Sequence, residues 1–175
     1  MSCPPHVRCF FDKIKHPEIY DSWYGPWNTV LAENFPTQEG FMVAPQSICG
    51  VIFFVVEFVV HPEHIPVFFV EVQPPHHLDH ISTRADADAQ IRARFRTLYC
   101  ADVPHLQGIS AMGTNFALYG LEEDIVCPLA IPRDGCISKD IAPKERWNWD
   151  VLGAGYGVLA NLAGSVKERC VMLSS

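Results

Sequence analysis

Apolar positions fall at helical spacing first and at strand spacing afterwards. Trp27, Val30, Leu31 and Phe35 recur at i, i+3, i+4 and i+8, which predicts a helix over Tyr24–Phe35 with Pro26 tolerated in its first turn. Pro36 ends it, and Thr37-Gln38-Glu39-Gly40 reads as a turn before a short strand at Phe41–Ala44. Val51–Val60 (VIFFVVEFVV) is β-branched and aromatic, a strand rather than a helix. The proline-broken stretch His61–Pro66 predicts a hairpin connection to a partner strand, Val67–Gln73, which stops at Pro74-Pro75. Ser82 stands where an N-cap belongs, ahead of a helix over Thr83–Tyr99. Ile91, Phe95, Leu98 and Tyr99 form its apolar stripe, with Arg84, Arg92, Arg94 and Arg96 spread elsewhere. Leu106–Tyr119 contains a further strand, with Gly108 and Gly113 marking close approaches or bends, and a weaker strand signal follows near Ile125–Ile131. Gly157–Met172 predicts a closing helix, residues 147–152 are aromatic-rich without a clear period, and the first twenty residues predict a drape over the domain. The order is α-β-β-β-α-β with additions. Long apolar strands predict a mixed central sheet covered on both faces.

At 175 residues the chain makes one α/β domain: residues 1–22 as an N-terminal extension, 23–131 as the core and 132–175 as a C-terminal addition. With 49% hydrophobic and 19% charged residues it is not an intrinsically disordered chain. The net charge of −7 argues against a protein held on nucleic acid by bulk electrostatics, although a local basic patch is compatible with it. The N-terminus lacks the basic and apolar regions of a signal peptide. The most apolar run is interrupted by Glu57, whereas a bilayer span needs about 20 apolar residues, so no membrane partner is expected. The 7 cysteines are odd in number, widely spaced and without a Cys-x-x-Cys pair. They read as reduced thiols of a cytoplasmic or nuclear, non-secreted protein.

Two acids stand out. Glu57 interrupts the most apolar strand, and Glu71 lies in the next one. A buried carboxylate costs several kcal/mol unless it is paired or binds a metal. If the hairpin around Pro62–Pro66 brings both to one end of the sheet, they suit a shared Mg²⁺ or Mn²⁺. The alternative is that they face solvent or form structural ion pairs with Arg84, Arg92 or Arg94.

The order α-β-β-β-α-β, Glu57, the Glu71-Val72-Gln73 triplet and Gln90 on the following helix resemble the PD-(D/E)xK, or restriction-endonuclease-like, superfamily. The resemblance implies a restriction-endonuclease-like fold and metal-dependent phosphodiester hydrolysis. Glu57 and Glu71 would hold the metal, Gln73 would orient water, and Gln90 or Arg94 would contact the phosphate or the carboxylates. Glu33 on the first helix matches the family's frequent extra carboxylate. Gln73 departs from the pattern: the family has lysine there, and an amide cannot serve as a general base. The segments YGPWNTVLAENFP, VFFVEVQPP, DHISTRADADAQIRARF and GISAMGTNFALY also resemble uncharacterised fungal proteins of similar length.

Histidines add a second possibility for metal. His61 and His64 flank one end of the hairpin, and His76, His77 and His80 follow the third strand. If both loops cover one end of the sheet they offer imidazoles to Zn²⁺, or an acid or base in place of Gln73; otherwise they are ordinary polar loop residues. Ser110 lies in Gly-Ile-Ser-Ala-Met, which does not complete G-x-S-x-G, and no P-loop or G-x-G-x-x-G is present. Trp23, Trp27, Trp147 and Trp149 read as core aromatics. The function classes left standing are a nuclease, an enzyme on a small aromatic or apolar molecule, and a catalytically degenerate binding domain.

Overall fold

The computed structural model describes residues 2–48, 51–60, 62–98, 106–133 and 139–173. Helices α1 (Pro5–Asp12) and α2 (Asp21–Asn34) precede strands β1 (Phe41–Ile48), β2 (Val51–Val60) and β3 (Glu63–Gln73). Helix α3 (Ile81–Leu98) leads to β4 (Gln107–Met112), β5 (Asn115–Glu122), β6 (Ile125–Cys127) and β7 (Trp149–Asp150), and α4 (Gly155–Leu173) closes the chain. The strands form one mixed sheet in the order β1-β2-β3-β4-β5-β6, with β7 against β5. All neighbours are antiparallel except β3 and β4, which α3 joins as a crossover. The α-β-β-β-α-β order is therefore α2-β1-β2-β3-α3-β4. Among the described residues no helix is long and apolar enough to cross a membrane.

The long apolar runs of β2 and β3 follow from burial on both faces. Phe54, Val56, Phe68 and Val70 point into a core built with Val7 and Phe11 of α1, Trp27 and Leu31 of α2, and Leu159 and Val166 of α4. Phe53, Val55 and Phe69 point the other way, against Ala87, Ile91 and Phe95 of α3 and against Trp147. The result is three layers, helix on sheet on helix.

Several boundaries differ from the sequence expectation. The N-terminal stretch is a helix rather than a drape, because Cys3, Val7 and Phe11 recur every fourth residue and all three are buried. Helix α2 begins three residues earlier than expected, at Asp21, so Pro26 lies inside it. Strand β1 runs on to Ile48, and β3 begins at Glu63, so the proline-broken stretch is largely strand. Ser82 is no cap, since α3 begins at Ile81 and Arg84 N–H already bonds His80 C=O. Tyr99 lies outside the described residues.

The segment around Leu106–Tyr119 is a hairpin, turning at Gly113 with φ +65°. Gly108 is a close approach: a Cβ there would lie 2.6 Å from Cζ of Phe69 and 3.1 Å from Cζ of Phe95. Gly108→Ala is expected to cost about 1–3 kcal/mol by overpacking, read as a lower denaturant midpoint with an unchanged slope.

The open edge of β1 is guarded by its own sequence. Val59 N–H bonds Gly40 C=O at 2.9 Å, so residues 42, 44 and 46 face β2 while 41, 43, 45 and 47 face outward. Proline at 45 removes one of the outward N–H groups that a further strand would need.

Helix α3 carries more buried charge than its apolar stripe predicts: Arg84, Asp88 and Arg94 are all buried. The segment after β6 crosses its second face and supplies partners. Arg84 donates to Leu78 C=O, Ala142 C=O and Asp140, and Arg92 donates to Val126 and Pro128 C=O and to Asp88. Asp88 also accepts from Tyr119 Oη at 2.8 Å and from Arg146 at 2.5 Å, while Arg146 donates on to Leu129 C=O.

Candidate functional site

Glu71 and Gln73 project from the carboxyl-terminal half of β3 toward α3, two residues apart on one face. Glu71 is 2% exposed, and its Oε1 accepts from Arg94 Nε at 2.9 Å. The register sets Phe53 of β2 directly opposite Glu71, and the Arg94 guanidinium carbon lies 3.6 Å from the Phe53 ring centroid. The cation is thus held by a carboxylate and by an aromatic face together. Burial pushes the Glu71 carboxyl above its ordinary pKa, and the Arg94 charge and hydrogen bond oppose that rise.

Gln73 is buried and sits in a chain of neutral groups. Its Nε2 donates to Gln90 Oε1 at 3.1 Å, and its Oε1 accepts from His77 Nδ1 at 3.1 Å. An amide oxygen can only accept, so the His77 proton is on Nδ1; Nε2 is then free to accept from Tyr20 Oη, 3.3 Å away. Burial lowers the His77 pKa and keeps the ring in this neutral form, with His76 and His80 acting in the same direction. The His76 and His77 rings meet edge to face at 4.6 Å. Tyr20, at the entry to α2, had no signal in the sequence, because only the fold carries it to His77.

The other expected members lie elsewhere. Glu57 pairs with Pro66 in the register, four residues along β2 from Phe53, the partner of Glu71. At about 3.3 Å per residue this separates the two carboxylates by about 13 Å along the strand, and ligands of one divalent ion sit about 2.0–2.6 Å from it. The expected Glu57–Glu71 metal pair is therefore corrected: Glu57 instead bonds His64 Nδ1 at 3.0 Å at a partly exposed position. A bulge between Val56 and Glu57 turns this end of the hairpin.

Glu33 pairs with His6 of α1 at 2.9 Å, on the helical layer behind the other sheet face, and does not join Glu71. His64 lies at the start of β3 and His76, His77 and His80 follow its end, so the two histidine loops occupy opposite ends of the strand. His61 lies outside the described residues. Among the described residues no three His, Cys, Asp or Glu side chains gather as a metal site. The residues at Glu71 do not fit the implied Mg²⁺ or Mn²⁺: the one carboxylate is engaged by Arg94, and the facing position is phenylalanine.

Ser110 is buried and accepts from Trp147 Nε1 at 3.2 Å, a packing role. Trp23, Trp27 and Trp147 are buried as expected, and Trp149 packs at the edge of the core. The glycine-rich stretch at 153–157 turns the chain into α4, and Gly155 is needed because a Cβ there would lie 2.6 Å from Asp150 C=O. Comparison with known proteins gives no matching family model, no matching curated protein and no matching solved structure.

Proposed function

We propose that this chain is a restriction-endonuclease-like domain that acts by binding and does not hydrolyse phosphodiesters. The element order from α2 to β4, the parallel β3–β4 pair joined by α3, and Glu71-Val72-Gln73 on β3 support the scaffold. The observation that carries the non-hydrolytic reading is the buried Glu71–Arg94 pair stacked on Phe53. A metal at Glu71 would have to displace a guanidinium already held by charge, hydrogen bond and ring. It would find no second carboxylate opposite.

Hydrolysis also needs a group to activate or orient water. Gln73 has its amide engaged on both sides, by His77 and by Gln90. What remains at the carboxyl ends of β3 and β4 is a rim of imidazole, phenol and amide groups, with Gln90 exposed. Ligands of open α/β sheets commonly bind at this end. These groups suit neutral polar partners.

Calorimetric titration with Mg²⁺ and Mn²⁺, alongside incubation with plasmid DNA and single-stranded RNA, tests the reading. Neither binding heat at millimolar metal nor cleavage is expected. A Mn²⁺ heat that disappears in Glu71→Ala, or metal-dependent cleavage, would restore the hydrolase and overturn the proposal.

A further inference from the structure

A concavity outside the Glu71 site differs from it in chemistry. The connection between α1 and α2 forms an open concavity of about 270 Å³ lined by Phe10, Lys13, Ile14, Lys15, His16 and Ser22. In a chain of net charge −7 lysines find acidic partners readily: Lys144 pairs with Asp79 at 2.8 Å and Lys167 with Glu39 at 2.9 Å. Among the described residues, Lys13 and Lys15 have no carboxylate within the 4.0 Å of an ion pair. Two ammonium groups with no carboxylate partner among the described residues thus line one concavity, beside an imidazole whose Nδ1 pairs with Glu18 at 3.4 Å.

The apolar wall is equally specific. Phe10 is 44% exposed although large and aromatic, and Lys13 Nζ lies 5.7 Å from its ring centroid. A cation beside a half-exposed ring matches a ligand whose anionic head is carried directly on a flat body. Two ammonium groups favour a dianion over a single carboxylate, and phosphate monoesters carry about −1.5 to −2 at neutral pH.

We propose that the cavity between α1 and α2 binds a small phosphate monoester carried on an aromatic ring. Lys13 and Lys15 take the phosphate oxygens, His16 and Ser22 supply further hydrogen-bond donors, and Phe10 packs on the ring. The site does not depend on whether Glu71 is catalytic, because it shares no residue with β3 or α3.

Titration of the whole protein with phenyl phosphate, inorganic phosphate and phenol, followed by calorimetry or by amide chemical shifts, tests it. Phenyl phosphate is expected to bind more tightly than either fragment and to weaken at high salt. The double variant Lys13→Ala/Lys15→Ala is expected to lose about tenfold or more in affinity at an unchanged melting temperature, whereas Lys144→Ala binds as the wild type. Phe10→Ala is expected to bring phenyl phosphate down to the affinity of inorganic phosphate. Saturable binding absent up to about 10 mM, a level below any useful affinity, would overturn the proposal. So would equal affinity in the wild type and the double lysine variant. Nuclease or metal results at Glu71 bear on neither outcome.

Discussion

Replacing Arg94 by methionine is expected to destabilise the domain by about 3–5 kcal/mol, because it strands the Glu71 carboxylate in the core. Glu71 is 2% exposed and its pKa is already raised by burial against the pull of Arg94. A carboxyl whose folded pKa lies above its unfolded value is penalised in its ionised form. Its cost is therefore absent below the unfolded pKa and grows as pH rises through the folded one. Removing Arg94 raises the folded pKa further. The gap in stability between wild type and Arg94→Met is expected to be widest near neutral pH and to narrow as pH falls into the acid range, where Glu71 takes up a proton. Urea unfolding at a series of pH values reads this directly. The double variant Glu71→Leu/Arg94→Met is expected to recover most of the loss, since an apolar pair of similar volume replaces a desolvated ion pair. A gap that stays constant with pH would mean that the carboxylate is not buried as described.

Asp88→Ala is expected to cost a comparable amount, about 3–5 kcal/mol, and to act on a different part of the molecule. This one carboxylate accepts from Arg92, Arg146 and Tyr119, and both arginines also hold backbone carbonyls of the segment that follows β6. Its loss leaves two guanidinium groups and a buried phenol without their acceptor. The segment carrying Leu129 and Arg146 then loses the Arg146 tie to α3 and keeps those from Arg84 to Ala142 and Asp140. Limited proteolysis should accordingly cut between β6 and β7 faster in Asp88→Ala than in the wild type, under conditions where the rest of the domain resists. Tyr119→Phe removes only one of the bonds and is expected to cost about 0.5–1.5 kcal/mol, with no gain in cleavage. Cleavage spread evenly over the chain would show that Asp88 supports the whole core and not this segment.

Much of the architecture was legible because it rests on local pattern. β2 is read correctly to the residue, since nine β-branched and aromatic positions broken only by Glu57 admit few other structures. The α-β-β-β-α-β order follows from such runs. The errors fall where the deciding contact is distant. Helix α1 has only two buried positions, Val7 and Phe11, and the prolines at its start obscure them until α2 is in place beside it. The arginines of α3 look like a solvated face, yet Arg84 and Arg94 are buried, because the chain returns sixty residues later to cover one side and the sheet covers the other.

The candidate site divides in the same way. The presence of an unusual acid in each of two apolar strands, and the amide where a lysine would complete the resemblance, are properties of the sequence alone, as is the need for any buried carboxylate to find a partner. Which partner it finds is a matter of register. A shift of four residues along β2 carries Glu57 to His64 and leaves Phe53 opposite Glu71, and position along and around α3 selects Arg94 over Arg84 or Arg92. Alternation along a strand sets the face on which a side chain lies and is written in the sequence. The position where two strands meet, and the helix residue that closes over them, are set by the packing of the whole core, and only the tertiary structure decides them.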